Sequence, residues 1–165
     1  MLTEELQTYL NSLPNDVTFI DLSKKNLYML PDLSRFINLQ YLECSDNCLT
    51  SLPKLNQTLL ELHCDKNKLT WLPDLNYSLR ILYCAYNNLT CLPELNENIV
   101  EVYCQNNKLT CLPLVKPDFH INLLTLMYDN NPVFYDLIEK KRVDALLETI
   151  HQVYLDTYDD KYGPF

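Results

Sequence analysis

Apolar and polar residues follow a pattern that repeats every 20 residues through the middle of the chain. Each copy places an apolar residue, a cysteine, an asparagine and two leucines at set positions and then a proline. The residues in register are Leu42, Leu62, Leu82 and Val102; Cys44, Cys64, Cys84 and Cys104; Asn47, Asn67, Asn87 and Asn107; Leu49, Leu69, Leu89 and Leu109; Leu52, Leu72, Leu92 and Leu112; and Pro53, Pro73, Pro93 and Pro113. Looser copies flank this block at 17–31 and 123–133, which predicts six turns of a repeating structure.

Each copy predicts one short strand and an irregular return. Around Leu42 and Cys44, apolar residues alternate with polar or aromatic ones, as in a strand with one buried face. The return, for example residues 52–56, is too short for a helix, and its proline favours an extended or turned backbone. Stacked copies should therefore form a parallel sheet in which every copy needs its neighbours to cover its apolar side.

The asparagine column predicts a ladder of side-chain hydrogen bonds inside the stack. Each asparagine lies where the chain leaves the strand, and its amide can satisfy backbone groups that would otherwise be buried without a partner. Lys25 occupies this position in the first copy. Such a departure is expected in a terminal repeat.

Both ends of the chain carry helical patterns suited to covering the ends of the stack. Residues 3–12 start with the N-cap residue Thr3 and two acidic residues, and residues 134–157 have apolar residues at largely helical spacing. We expect one domain made of an N-terminal helical cap (1–16), six repeats (17–38, 39–58, 59–78, 79–98, 99–122 and 123–133), a C-terminal helical cap (134–158) and a tail (159–165). The alternative for the C-terminal helix is a role in dimerisation or partner binding.

The unit L-x-x-L-x-C-x-x-N-x-L-x-x-L-P, which covers residues 17–133, resembles the leucine-rich repeat. It is similar to the short repeats of bacterial type III secretion effectors, and its asparagine and tyrosine content resembles that of repeat proteins in amoeba-infecting giant viruses. The resemblance implies an α/β solenoid: a right-handed superhelix with a short parallel concave sheet, an irregular convex side and helical caps. It also implies an effector-like scaffold for protein binding.

Composition excludes several classes of function. The net charge of -9 would repel nucleic acid, and the single glycine, Gly163, excludes a phosphate-binding loop or a dinucleotide fingerprint. The sequence shows neither a signal peptide nor an apolar run long enough to span a membrane. Seven cysteines without a signal peptide favour reduced thiols and a cytoplasmic location, which would be the host cytoplasm for a protein from a pathogen or a virus.

The repeated cysteines are expected to be structural. Cys44, Cys64, Cys84 and Cys104 fall on inward strand positions, where a thiol behaves as a small apolar group, and we expect all four to be free. Residues 48, 91 and 111 are cysteines nearer the surface. The chain has three histidines, His63, His120 and His151, and no C-x-x-C pair, so we expect no metal and no cofactor.

One triplet offers a catalytic alternative. Secretion effectors that share this repeat carry a separate ubiquitin-ligase domain with a Cys-x-Asp motif, which Cys44-Ser-Asp46 resembles. The corresponding triplets in the next two repeats do not preserve it, so we predict no catalytic residues and no enzyme. A cysteine-dependent enzyme or ubiquitin-pathway catalyst remains the alternative, as does a self-associating structural protein.

Residues that alternate with the buried ones should line the concave sheet. Aromatic and acidic side chains dominate there, and we predict a partner-binding surface formed by Tyr41, Glu43, Glu61, His63, Ile81, Tyr83, Tyr86, Glu101 and Tyr103, with Asp46 and Asp65 at its acidic rim. Such a surface favours a protein or peptide with basic and apolar residues. The other interpretation is that these tyrosines only satisfy strand propensity and that the acids only keep the protein soluble. A monomer is favoured.

Overall fold

A computed structural model describes residues 4–111, 123 and 125–132, together with the single positions Ala145, Glu148 and Gln152. In this part of the chain, one helix precedes six short strands: α1 (Glu4–Ser12), β1 (Phe19–Asp21), β2 (Tyr41–Glu43), β3 (Glu61–His63), β4 (Ile81–Tyr83), β5 (Glu101–Tyr103) and β6 (Thr125–Met127). The strands form one sheet in sequence order, and every adjacent pair is parallel. The predicted parallel solenoid is confirmed.

The register of the sheet places equivalent residues of successive repeats side by side. Leu62 lies beside Leu42 on one side and Leu82 on the other, and the same alignment continues to β1 and β6. The returns up to residue 111 contain no helix, as predicted. Register is specified because a slip by one residue would expose the apolar residue at the centre of each strand.

The core lies behind the sheet and is continuous along the stack. The central residue of each strand, the cysteine that lies two positions later in β2 to β5 and most leucines of the described returns belong to one buried cluster. Leu62, Cys64 and Leu69, for example, are fully buried in the third repeat. Each buried leucine contributes about 2 kcal/mol of hydrophobic free energy, and it is buried only because the next repeat is present.

A column of buried asparagines joins each turn to the one before it. The Asn67 Nδ2 group donates to the carbonyl of Cys64 in its own turn at 3.2 Å and to that of Cys44 in the preceding turn at 3.0 Å. Its Oδ1 accepts the backbone N–H of Leu49 at 3.0 Å. The same bridging is made by Asn47, Asn87, Asn107 and Asn131. The predicted asparagine ladder is confirmed.

A second set of asparagines, which we did not predict, bridges the returns. Asn56 Nδ2 donates to the carbonyls of Leu33 and Phe36, both at 3.0 Å. Asn76 and Asn96 donate in the same way to the preceding return. The signal was present in the sequence, because residues 56, 76 and 96 are asparagines at the repeat interval.

The chain leaves each strand through a left-handed backbone conformation, which was also not predicted. The second residue after each cysteine position, or its equivalent, has positive φ: Lys24 (55°), Asp46 (57°), Lys66 (52°), Tyr86 (53°), Asn106 (57°) and Asn130 (58°). This conformation costs a non-glycine residue roughly 1–2 kcal/mol. Hydrogen bonds between turns, such as Lys66 N–H to the Ala85 carbonyl at 2.9 Å, offset this cost.

Helix α1 lies against the first turn. Leu6 and Leu10 on its apolar side belong to the same buried cluster as the repeats. Glu4 and Glu5 occupy its first turn, where their negative charges stabilise the helix through its dipole. The predicted C-terminal cap at 134–158 lies outside the described residues except at positions 145, 148 and 152, which are helical and exposed.

The asparagine ladder generates a stability prediction. Asn87→Ala leaves the N–H of Leu69 and the carbonyl of Cys64 without their side-chain partner in the core. We expect the free energy of unfolding to fall by about 2–4 kcal/mol, measured by urea denaturation. Asn88→Ala is the matched control, because Asn88 is half-buried and, among the described residues, only its backbone N–H is hydrogen-bonded, to the Leu69 carbonyl. Equal losses for both variants would contradict the role given to the ladder.

Candidate functional site: the outer face of the sheet

The first and third residues of each strand form the outer face of the sheet, because the central residue points into the core. These residues fall in two columns. The first column is Phe19, Tyr41, Glu61, Ile81, Glu101 and Thr125, and the second is Asp21, Glu43, His63, Tyr83, Tyr103 and Met127. Eight of the nine predicted site residues lie in these columns; the ninth is Tyr86.

Five aromatic rings on this face form one continuous stack, here called the aromatic ladder: Phe19, Tyr41, His63, Tyr83 and Tyr103. Successive ring centroids are separated by 5.0, 4.7, 4.4 and 4.3 Å. The last two rings are almost parallel, with an interplanar angle of 4°. The ladder crosses from the first column to the second between Tyr41 and His63, and Phe19 joins it although it was not among the predicted site residues.

Carboxylates surround the histidine at the centre of the ladder. His63 Nδ1 lies 3.1 Å from Tyr41 Oη and 3.4 Å from Glu43 Oε2, and Nε2 lies 3.7 Å from Glu61 Oε2. Nε2 is buried and makes no hydrogen bond within the described part of the chain. Burial, with a smaller effect of the two glutamates, raises the pKa of Tyr41 above 10.0. The hydroxyl therefore stays neutral beside the acids.

A second tyrosine is tied to an acid at the other end of the ladder. Tyr103 Oη donates to Glu101 Oε2 at 3.0 Å, and this hydrogen bond is the main reason that the pKa of Tyr103 is raised to about 12. Glu43 is also partly engaged, since its Oε1 accepts the Ser45 N–H at 2.8 Å. These contacts hold the acidic side chains next to the rings.

Two of the residues predicted for this surface stand apart from the ladder. Tyr86 is 54% exposed and makes no ring contact among the described residues, because the left-handed turn carries it beyond the end of β4. Ile81 is half-buried at the start of the same strand. Neither contributes to the stack, although Ile81 lies on the same face of the sheet.

Two acids predicted for the rim, Asp65 and Asp46, make contacts with the following repeat. Asp65 does not extend freely into solvent; it is half-buried, and its Oδ1 accepts the Ala85 N–H at 2.7 Å. Burial raises the pKa of Asp65, and the opposing effect of the Ala85 hydrogen bond is smaller. Asp46 is half-buried, with Oδ2 3.8 Å from Lys66 Nζ. Asp65 therefore helps to hold two turns together.

The repeated thiols lie on the opposite side of the sheet, in the core. Cys44, Cys64, Cys84 and Cys104 are fully buried and free, as predicted, and the thiols of Cys44 and Cys64 donate to the carbonyls of His63 and Tyr83. Burial raises the pKa of all four, that of Cys104 to about 12. Thiolate formation is therefore unfavourable at Cys44, the first residue of the Cys-x-Asp triplet.

Among the described residues, no group of three or more potential ligands is placed to hold a metal ion. In the same part of the chain, no helix combines the length and apolar character needed to cross a bilayer.

Comparison with known proteins identifies the repeat. A leucine-rich-repeat domain of a Shigella effector superimposes with a TM-score of 0.64 and 30% sequence identity over 76% of this chain. YopM from Yersinia enterocolitica WA-314 does so with a TM-score of 0.66 and 32% identity over 73% of this chain. The chain is a leucine-rich-repeat solenoid. It resembles the repeats of bacterial effectors, as predicted.

This chain is shorter than the chains of the solved structures that it resembles. It spans 25% of the YopM chain from Yersinia enterocolitica, 54% of the Shigella chain and 40% of a YopM chain from Yersinia pestis, described as a leucine-rich effector protein, with which it shares 29% identity at a TM-score of 0.58. No family model and no curated protein matches the chain. The resemblance to giant-virus repeat proteins stays a prediction.

The buried carboxylate generates a pH-dependent prediction. Because folding raises the pKa of Asp65 above its ordinary 3.8, the ionised form weakens the folded state, and this penalty appears as the pH rises through the folded pKa. Asp65→Asn keeps an acceptor for the Ala85 N–H and removes the charge. We expect it to raise the free energy of unfolding at neutral pH, and the gain to disappear below pH 3.8.

Urea denaturation of both proteins at the two pH values measures this difference. Asp65→Ala is the control, because it removes the charge and also the acceptor, and it should destabilise the protein at both. A gain for Asp65→Asn that is the same at neutral and acid pH would contradict the assignment to ionisation.

Proposed function

We propose that this protein is a non-catalytic protein-interaction scaffold that binds a protein or peptide partner on the outer face of its sheet. The observation that carries the proposal is the aromatic ladder with its flanking glutamates. Repeat proteins commonly use their extended sheet surfaces for binding, and the structural relatives are effectors. The partner-binding residues are those of the ladder together with Glu43, Glu61, Ile81, Tyr86 and Glu101.

The ladder is suited to binding because its rings are already ordered. Tyr83 and Tyr103 stack on each other, and Tyr103 is also held by Glu101, so little side-chain entropy remains to be lost when a partner binds. Tyrosine combines a large apolar ring with a polar hydroxyl, and such residues dominate the binding energy of many interfaces.

Charge favours a partner with basic residues. Glu43 and Glu61 flank His63, and Glu101 lies two strands further along the same face, in a protein whose net charge is -9. An arginine could pair with these acids while its guanidinium group stacks on a tyrosine ring. We therefore expect a partner segment with arginine or lysine beside an apolar anchor.

The burial of the core thiols supports a non-catalytic role, since a nucleophilic cysteine needs a thiolate that a substrate can reach. Reduced thiols also support a cytoplasmic location, in the host cytoplasm for an effector-like protein. A monomer is favoured, and self-association through the same face is the competing possibility that the experiment below resolves.

The test is affinity capture from a lysate of the native host, with mass spectrometry of the bound proteins. We expect Tyr83→Ala/Tyr103→Ala to reduce capture of the specific partner at least tenfold, because two interface anchors are lost. The matched control is Tyr28→Ala/Met29→Ala, which removes two residues that are 71% and 57% exposed and lie outside the strands. Unchanged capture by the ladder variant would refute the assignment of this face.

A charge-reversal pair tests the expected chemistry of the partner. Glu61→Lys/Glu101→Lys should weaken capture, whereas Glu4→Lys/Glu5→Lys on α1 changes the net charge equally and should not. Equal effects of the two double variants would show that only overall charge matters. Recovery of a second copy of the chain as the bound protein would favour the self-associating alternative.

A further inference from the structure

Two cysteines outside the core occupy the same position in adjacent turns. Cys91 follows Thr90 and Cys111 follows Thr110, and the Thr110 N–H donates to the Thr90 carbonyl at 3.1 Å. Two residues earlier, the Lys108 N–H donates to the Leu89 carbonyl at 2.9 Å. The two chain segments therefore run side by side up to the residues that precede the cysteines. Cys91 is exposed, Cys111 is half-buried, and both are free.

We propose that Cys91 and Cys111 form a redox-active dithiol that closes reversibly to a disulfide between adjacent turns. Hydrogen-bonded chains of this kind lie about 4.8 Å apart, and a disulfide needs Cα atoms roughly 4.4–6.8 Å apart. Both side chains reach solvent, so a small oxidant has access to them. This inference concerns the return side of the chain and is independent of the proposed binding face.

The core provides an internal comparison on the same two turns. Cys84 and Cys104 are related by the same 20-residue offset and are equally adjacent, but both are fully buried. Neither an oxidant nor an exchanging thiol can reach them in the folded protein. Exposure, and not spacing, therefore distinguishes the reactive pair from the structural column.

Disulfide exchange with a low-molecular-weight disulfide, such as glutathione disulfide, supplies the oxidation. The Cys91 thiolate, having lost its proton to water, attacks one sulfur of the reagent, and the first small thiolate leaves. The Cys111 thiolate then attacks the Cys91 sulfur of this mixed disulfide and releases the second small thiolate. The protein loses two electrons and two protons, and the reagent disulfide is reduced to two thiols.

The bond is expected to be readily reduced. In-register parallel chains hold the two side chains in similar directions, which disfavours the S–S torsion near 90° and makes the disulfide easier to cleave. It closes a loop that contains β5 and thereby ties both ends of the turn that presents Glu101 and Tyr103. Oxidation would restrict local opening of that turn.

The test uses the folded chain, treated with glutathione disulfide and then with an alkylating reagent, followed by peptide mapping. We expect one cross-linked peptide pair joining Cys91 to Cys111, an intact mass lower by about 2 Da before alkylation, and reversal by dithiothreitol. The core thiols should remain unmodified until the protein is unfolded.

Single serine variants separate a dithiol from two independent cysteines. Serine already occupies the equivalent position at Ser51, so the fold accommodates it. Cys111→Ser should retain glutathione on Cys91, because no second thiol displaces it, and Cys84→Ser should form the cross-link like the wild type. Stable glutathionylation of Cys91 in the wild type, or a disulfide from Cys91 to any other cysteine or to a second chain, would overturn the proposal.

Discussion

The structure depends on the pairing of backbone polar groups in a stack whose strands are only three residues long. Such short strands satisfy few of the N–H and C=O groups that the stack buries, and the returns up to residue 111 have no helix that could satisfy the others. The asparagine ladder supplies the missing partners, since each amide bonds to carbonyls of two turns and accepts an N–H from a third segment. Leucine burial provides most of the favourable free energy, but the asparagines determine which chain segments lie together.

That constraint also explains the outer face. Because every turn is held in register with its neighbours, equivalent residues on successive strands lie side by side. Aromatic residues at these positions therefore stack into a ladder, and glutamates beside them are held close enough to bond to a tyrosine or lie against the histidine. The regular interior thus produces an ordered and acidic outer surface.

Much of the fold could be predicted because the repeat interval places residues in columns. Leu62, Cys64 and Asn67 recur at the repeat interval, which indicates that each has a structural role. The alternation along the strands then assigns Tyr83 and Glu101 to the outer face. The crossing of the aromatic ladder from Tyr41 to His63 could not be predicted, because it depends on side-chain directions. The hydrogen bond between the Asp65 carboxylate and the Ala85 N–H of the next repeat could not be predicted for a similar reason, because no sequence signal distinguishes Asp65 from a solvent-facing acid.

The residues with a left-handed backbone conformation could not be predicted from composition. Such positions are usually marked by glycine, but the repeats contain none, and Lys66 and Tyr86 adopt the conformation because the surrounding hydrogen bonds require it.

Amide hydrogen exchange tests most directly whether the asparagine ladder holds the stack together. The N–H groups of Leu49, Leu69 and Leu89, each bonded to an asparagine Oδ1, should exchange as slowly as those of the strands. Exchange at the rate of an unstructured peptide would contradict the account.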